Sequence, residues 1–139
     1  MRYLGLDIGD KRIGIAISDS SGLFAMPFEV YNTVGAKKDQ QYITKLVLEQ
    51  QIETVVIGLP INMNGTEGER ALICREFARR LRNRLRIPIE MQDERLSTVS
   101  AERILIDADV SRKKRKTIID KLAAQVILQN YLDCVNTRE

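Results

Sequence analysis

Three acidic side chains stand where a carboxylate needs a reason. Asp7 interrupts the apolar run "YLGLDIGDKRIGIAISD", Glu94 follows Asp93 in "MQDERLST", and Asp120 lies within "TIIDKLAAQVILQNYL". A carboxylate among apolar residues is unstable unless backbone N–H groups, a basic side chain or a metal satisfies it. The chain has no histidine, and its two cysteines, Cys74 and Cys134, make no CxxC pair, which removes the usual zinc sites and every histidine-dependent triad. Oxygen donors alone suit a hard cation, Mg2+ or Mn2+, with phosphate groups supplying the remaining ligands. The chemistry indicated is metal-assisted cleavage of phosphodiesters, with Asp7, Glu94 and Asp120 as catalytic, metal-holding residues.

Each acid also has a structural reading. Asp7 can accept hydrogen bonds from the turn that follows it. Asp93 and Glu94 can complement the positive N-terminus of the next helix or pair with Arg95, a role that suits Asp93 better. Thr117 and Asp120 have the spacing of a capping box, which would make Asp120 a helix-start residue.

The elements that must position these acids can be read from periodicity. Residues 3–8 and 12–18 are β-rich runs joined by Gly9-Asp10, a dipeptide suited to the positive φ of a tight hairpin, and "PFEVYN" predicts a third strand. Leu4, Leu6 and Ile8 alternate with Gly5, Asp7 and Gly9, and Ile13, Ile15 and Ile17 alternate with Gly14, Ala16 and Ser18. If the small residues share a face, Asp7 lies in a shallow clearing open to a metal or a substrate backbone. Ile43, Leu46 and Val47 predict a helix over 37–51, and "ETVVIGLP" a strand buried on both faces. "TEGE" fits a capping box with Thr66 as N-cap, opening a helix whose stripe is Ala71, Cys74, Ala78, Leu81 and Leu85. "IPIEMQ" predicts a fifth strand ending at Asp93 and Glu94, where ligands gather in open α/β sheets.

Two further helices are predicted, over 97–108 and 117–135, separated by "SRKKRK" read as a loop. In the second, Ile119, Leu122, Ala123 and Val126 form the expected stripe, with Asp120 at its border. "GLPINMNGTEG" reads as a strand-end loop with Gly58, Gly65 and Gly68, able to bring N–H groups near a phosphate or simply to turn. The element order implies an α/β fold, a mixed five-stranded sheet with helices on both faces in the ribonuclease H-like order, as one domain over 1–139.

Charge is split along the chain. Residues 1–69 hold 6 Lys and Arg against 9 Asp and Glu, and residues 70–139 hold 16 against 10, so the halves carry −3 and +6. Such a split suits a polyanion-binding face. Arg112, Lys113, Lys114, Arg115 and Lys116 are the favoured phosphate contacts, with Lys11, Arg12 and Arg95 beside the acids. The arginines of "ERALICREFARRLRNRLR" read more simply as a solvated helix face. No apolar run approaches a membrane span, Asp7 and Asp10 leave no signal-peptide core, and two free thiols fit a reducing compartment, so a soluble cytoplasmic protein is expected.

The segments "LGLDIGDKRIGIAISD", "GLPINMNGTEG", "FARRL", "DERLST" and "DKLAAQVILQNYL" together resemble the YqgF (RuvX) family of bacterial proteins, from end to end of the chain. The resemblance implies a ribonuclease H-like nuclease related to the RuvC resolvases. The implied activity is maturation of the 5′ end of pre-16S rRNA, with Holliday-junction resolution in DNA as the alternative and 5′-phosphate products. The family's acidic positions fall on Asp7, Glu94 and Asp120. The related resolvases carry a further acid three residues beyond the helical one, where this chain has Ala123. The opening hairpin also resembles the phosphate loop of actin-like ATPases and sugar kinases, which need a second domain. A third reading is a non-catalytic RNA-binding assembly factor with structural acids. Nucleic acid is the expected partner of a monomer or homodimer.

Overall fold

The computed structural model describes residues 1–94 and 112–136, with side chains placed for 1–94 and 122–136. Strands β1 (Arg2–Ile8), β2 (Arg12–Ser18) and β3 (Ala25–Asn32) form an antiparallel meander. They are followed by α1 (Ala36–Glu49), β4 (Ile52–Leu59), α2 (Glu69–Arg84), β5 (Ile89–Asp93) and α3 (Arg112–Asn136). The five strands make one sheet in the order β3-β2-β1-β4-β5, with β1, β4 and β5 parallel. The helix predicted over 97–108 lies outside the described residues.

The two-residue alternation of β1 and β2 divides the core. Leu4, Leu6, Ile8, Ile13, Ile15 and Ile17 face α1 and α2, meeting Ile43, Leu46 and Val47 from the first and Ala71, Cys74, Ala78 and Leu81 from the second. Strand β4 is buried on both faces, sending Val55 and Ile57 to that side and Val56 to the other. On the second face Ala16 and Val56 pack against Ala124, Ile127, Leu128 and Leu132 of α3. Gly5 makes this packing possible: a Cβ there would lie 2.7 Å from Leu128 Cβ and 3.1 Å from the Ala124 carbonyl oxygen. Small residues on β1 and β2 thus draw α3 close to the sheet.

Amide side chains fasten α3 to the chain between β2 and β3. Gln129 Oε1 accepts from Ala25 N at 2.8 Å, and Gln129 Nε2 donates to the Leu23 carbonyl at 3.0 Å. Gln125 Nε2 donates to the Ala25 carbonyl at 3.0 Å, and Asn136 Nδ2 to that of Gly22 at 3.2 Å. Backbone polar groups at the start of an edge strand thereby gain partners.

Five local expectations need correction. Gly9 does not take a positive φ; the glycines that do are Gly22, Gly35 and Gly65 among the described residues. Its small size serves the turn, because a Cβ would stand 2.6 Å from the Arg12 carbonyl oxygen. Thr66 is not the N-cap of α2, which is Gly68 without a side-chain cap. The Thr66 hydroxyl and N–H are both drawn to Asn64 Oδ1, at 2.7 and 3.1 Å, in a turn that closes before the helix begins. Gly58 belongs to β4, not to the loop that follows. The basic run is not a loop: α3 begins at Arg112 and includes it, since Lys and Arg are good helix formers with no breaker between them. Thr117 and Asp120 therefore lie inside a helix, not at its start. Finally, α3 presents Ala124, Ile127 and Leu128 together with Ala123, while Leu122 and Val126 are only half-buried. The surface around Gly5 favours small residues over the larger apolar set.

Candidate active site

The parallel strands β1, β4 and β5 end side by side, and their carboxyl ends carry the acids. Asp7 pairs across β1–β2 with Gly14, one step beyond the β1–β4 pair Leu6–Ile57. Strand β5 ends at Asp93, opposite Leu59 of β4, and Glu94 N–H donates to the Leu59 carbonyl at 3.2 Å. The Glu94 side chain turns back over Gly58, where a Cβ would overlap both Glu94 Oε2 and Ile127 Cδ1. Gly58 is thus the seat of the carboxylate.

Glu94 Oε2 is buried and has no hydrogen-bond partner. Burial, then the nearby negative charge of Asp7, push its carboxyl up to about 8, against the opposing charge of Arg70. The same field reaches Cys74, whose thiol is pushed up to about 12 by burial first and by Glu94 and Asp7 in addition. Two acids that disfavour each other's ionisation, one with an oxygen lacking any donor, form a site complementary to a cation.

The backbone of α3 brings position 120 to the same level. Tyr3 meets Tyr131, with ring centroids 5.9 Å apart, and Gly5 meets Ala124 and Leu128, so the helix runs antiparallel to β1. Two residues along a strand cover about 6.7 Å, the rise of four to five helical residues. Continuing from Gly5 to Asp7 therefore reaches the turn of α3 that contains position 120. Four residues before Ala124 and eight before Leu128, it shares their sheet-facing side. No group of three acidic or thiol side chains that could hold a metal occurs among the described residues, which do not include the Asp120 side chain.

The basic residues fall into three sets. Lys11 is exposed at the tip of the β1–β2 hairpin, Arg12 opens β2, and Arg95 lies outside the described residues. Arg112, Lys113, Lys114, Arg115 and Lys116 occupy the first turns of α3, which contain no acidic residue. Along α2, Arg75 is held by Glu67 at 2.5 and 2.8 Å, and Glu76 accepts from Arg79 at 2.5 and 2.8 Å and from Arg80 at 3.2 Å. Arg82 donates to the Ile89 carbonyl at 2.7 Å. These four serve a self-neutralised surface. Arg70 differs, donating at 2.6 Å to the Ile8 carbonyl and pairing with Asp10.

Gly58 and Arg70 are the participants that sequence reasoning missed. Nothing local marks a glycine inside an apolar strand as the seat of a distant glutamate, and Arg70 is hidden among neighbouring arginines. A groove of about 560 Å3 between α1, α2 and the β1–β2 turn, lined in part by Ile13, Leu72 and Phe77, includes neither Asp7 nor Glu94. The acids stand at an open sheet end, as a site for a continuous polymer backbone requires.

A family model described as RuvX, Holliday junction resolvase, matches residues 1–134. A Syntrophomonas wolfei protein named "Putative pre-16S rRNA nuclease" is 55% identical over 133 residues, covering 96% of this chain and 94% of its own length. A Bacillus mycoides protein of the same name is 50% identical over 138 residues, covering 96% and 98%. Among solved structures, Thermus thermophilus RuvC bound to a Holliday junction substrate superposes with a TM-score of 0.62 at 13% identity, covering 99% of this chain and 96% of that one. Fowlpox virus resolvase with Holliday junction DNA gives 0.62 at 10% identity, covering 97% and 99%. These two likenesses show the fold, which is the ribonuclease H-like fold of the resolvases.

Proposed function

The chain belongs to the RuvX family, and on that premise we propose that it is a divalent-metal-dependent nuclease that matures the 5′ end of pre-16S rRNA. The observation that carries the chemistry is the buried, partnerless Glu94 Oε2 beside Asp7. The name borne by relatives at 50% and 55% identity supports the substrate.

The residues fit a hard cation: the donors are oxygens, two negative charges share one sheet end, and one buried oxygen has no donor. Asp7 and Glu94 would hold Mg2+ or Mn2+, with Asp120 as the third ligand from α3. When bound, such an ion acidifies the attacking water and stabilises charge on the scissile phosphate and the leaving 3′ oxygen. Gly14 and Gly58 keep the surface around the acids low. Arg70 tempers the mutual repulsion of the carboxylates.

Substrate binding falls to Lys11, Arg12 and Arg95 near the acids and to Arg112 to Lys116 beyond them. Counted from position 120, the basic run extends about 6–12 Å further along the helix axis. Five cations in the first turns of a helix stand against the positive end of its dipole, an unfavourable arrangement that a bound polyanion reverses.

The description of the family model favours a second reading, resolution of Holliday junctions. Incubation with Mg2+ and either pre-16S rRNA or four-way DNA junctions separates the two. Cleavage of the rRNA to 5′-phosphate ends supports the maturation role, cleavage of the junction alone replaces it with resolution, and cleavage of neither by folded protein removes the nuclease reading.

A further inference from the structure

We propose that Arg70 is a phosphate-binding residue masked by Asp10, and that the phosphodiester backbone of a nucleic acid displaces Asp10 to reach it. The inference rests on the nuclease reading above and adds a residue and an exchange to it.

Arg70 lies in the first turn of α2 and crosses to the β1–β2 turn. Its Nη2 donates to the carbonyl of Ile8, the residue after Asp7, at 2.6 Å, while Nη1 pairs with the Asp10 carboxylate. The two interactions differ in kind. The Ile8 carbonyl belongs to the strand and fixes the guanidinium at the carboxyl end of β1. Asp10 sits on a hairpin tip with its side chain 79% exposed, against 38% for that of Arg70. Ion pairs this open to water are weak and readily exchanged.

The position makes the exchange useful. The charge of Arg70 acts on both the Glu94 carboxyl and the Cys74 thiol, so it is within electrostatic reach of the acids. A phosphate offers the same paired oxygens as a carboxylate and matches the guanidinium fork. Asp10, between the site and exposed Lys11, would otherwise only repel a polyanion. As a stand-in for phosphate it keeps Arg70 aligned until substrate arrives. Arg75 and Arg79, by contrast, are each held through two nitrogens by a glutamate.

A binding cycle tests the exchange without requiring cleavage. Affinity of a labelled precursor-rRNA fragment is measured across salt concentrations in Ca2+ for wild type, Asp10→Asn, Arg70→Gln and the double variant. We expect Asp10→Asn to bind about three- to tenfold tighter, with the salt slope steeper by about 0.7–0.9, the signature of one additional phosphate engaged. In the Arg70→Gln background the same change should leave the slope unaltered. An equal gain with and without Arg70 would reduce Asp10 to a general repulsive charge and overturn the proposal. So would an unchanged slope in Asp10→Asn alone, which keeps the test decisive if Arg70→Gln fails to fold. Additive variants in a protein that binds RNA would defeat this inference only, whereas a wild type that binds neither RNA nor DNA would defeat the nuclease reading as well.

Discussion

The carboxylate of Glu94 occupies the space that a side chain at residue 58 would fill. Gly58 is therefore as much a part of the site as the acid itself. Gly58→Ala should displace Glu94 and Ile127 together, lowering stability by about 1–3 kcal/mol through overpacking and reducing cleavage well beyond what that change explains. Melts and single-turnover rates on one preparation check it; wild-type rates would dissociate the seat from the chemistry.

Without metal, Glu94 should make stability depend on pH. Its carboxyl is raised from 4.5 to about 8 in the folded protein, so the fold binds this proton more tightly than the unfolded chain does. The contribution is complete below about pH 4.5 and is lost as pH rises through 8, at no more than about 1.4 kcal/mol per pH unit. Denaturant titrations in EDTA should show this decline, Glu94→Gln should flatten it, and Mg2+ should offset it in wild type only.

Asp7→Asn and Asp120→Asn should each abolish Mg2+-dependent cleavage. For Asp120 the interior helical position removes a capping role, so its stability should stay within about 0.5 kcal/mol of wild type. A destabilisation of about 1 kcal/mol with activity retained would restore the capping interpretation.

Replacing Lys113, Lys114 and Lys116 by Gln should weaken binding to every nucleic-acid sequence alike. The salt slope should become shallower by about 0.7–0.9 for each phosphate that the variant no longer neutralises. Because these residues oppose the helix dipole, the same variant should be more stable by a few tenths of a kcal/mol per residue in low salt. Weaker binding joined to a higher melting temperature distinguishes a phosphate track from a solubilising surface, which would move neither slope nor affinity.

The sheet was largely legible from sequence because a period of two cannot be confused with anything else once Leu4, Leu6 and Ile8 face three isoleucines across a hairpin. The meeting of Asp7 with Glu94 was legible too, since parallel strands must end together. The facing of α3 was not. Leu122 and Val126 are as apolar as Ala124 and Leu128, and the choice between them is made by Gly5, a residue of another element. The start of α3 was obscured because a run of five cations resembles a solvated loop, whereas its composition is helix-forming. Gly58 and Arg70 gained their meaning only from neighbours distant in sequence.

Fastening α3 at Gln125, Gln129 and Asn136 sets a reference point for the acid at its other half. Position 120 lies about 24 Å along the axis from Asn136. Inserting one residue between 120 and 124 would leave every amide hydrogen bond to Gly22, Leu23 and Ala25 intact, yet swing the acid about 100° around the helix. The turn between β2 and β3 therefore acts as the benchmark from which the angular position of Asp120 is surveyed, and the spacing from 120 to 129 is a dimension of the site, as fixed as any bond within it.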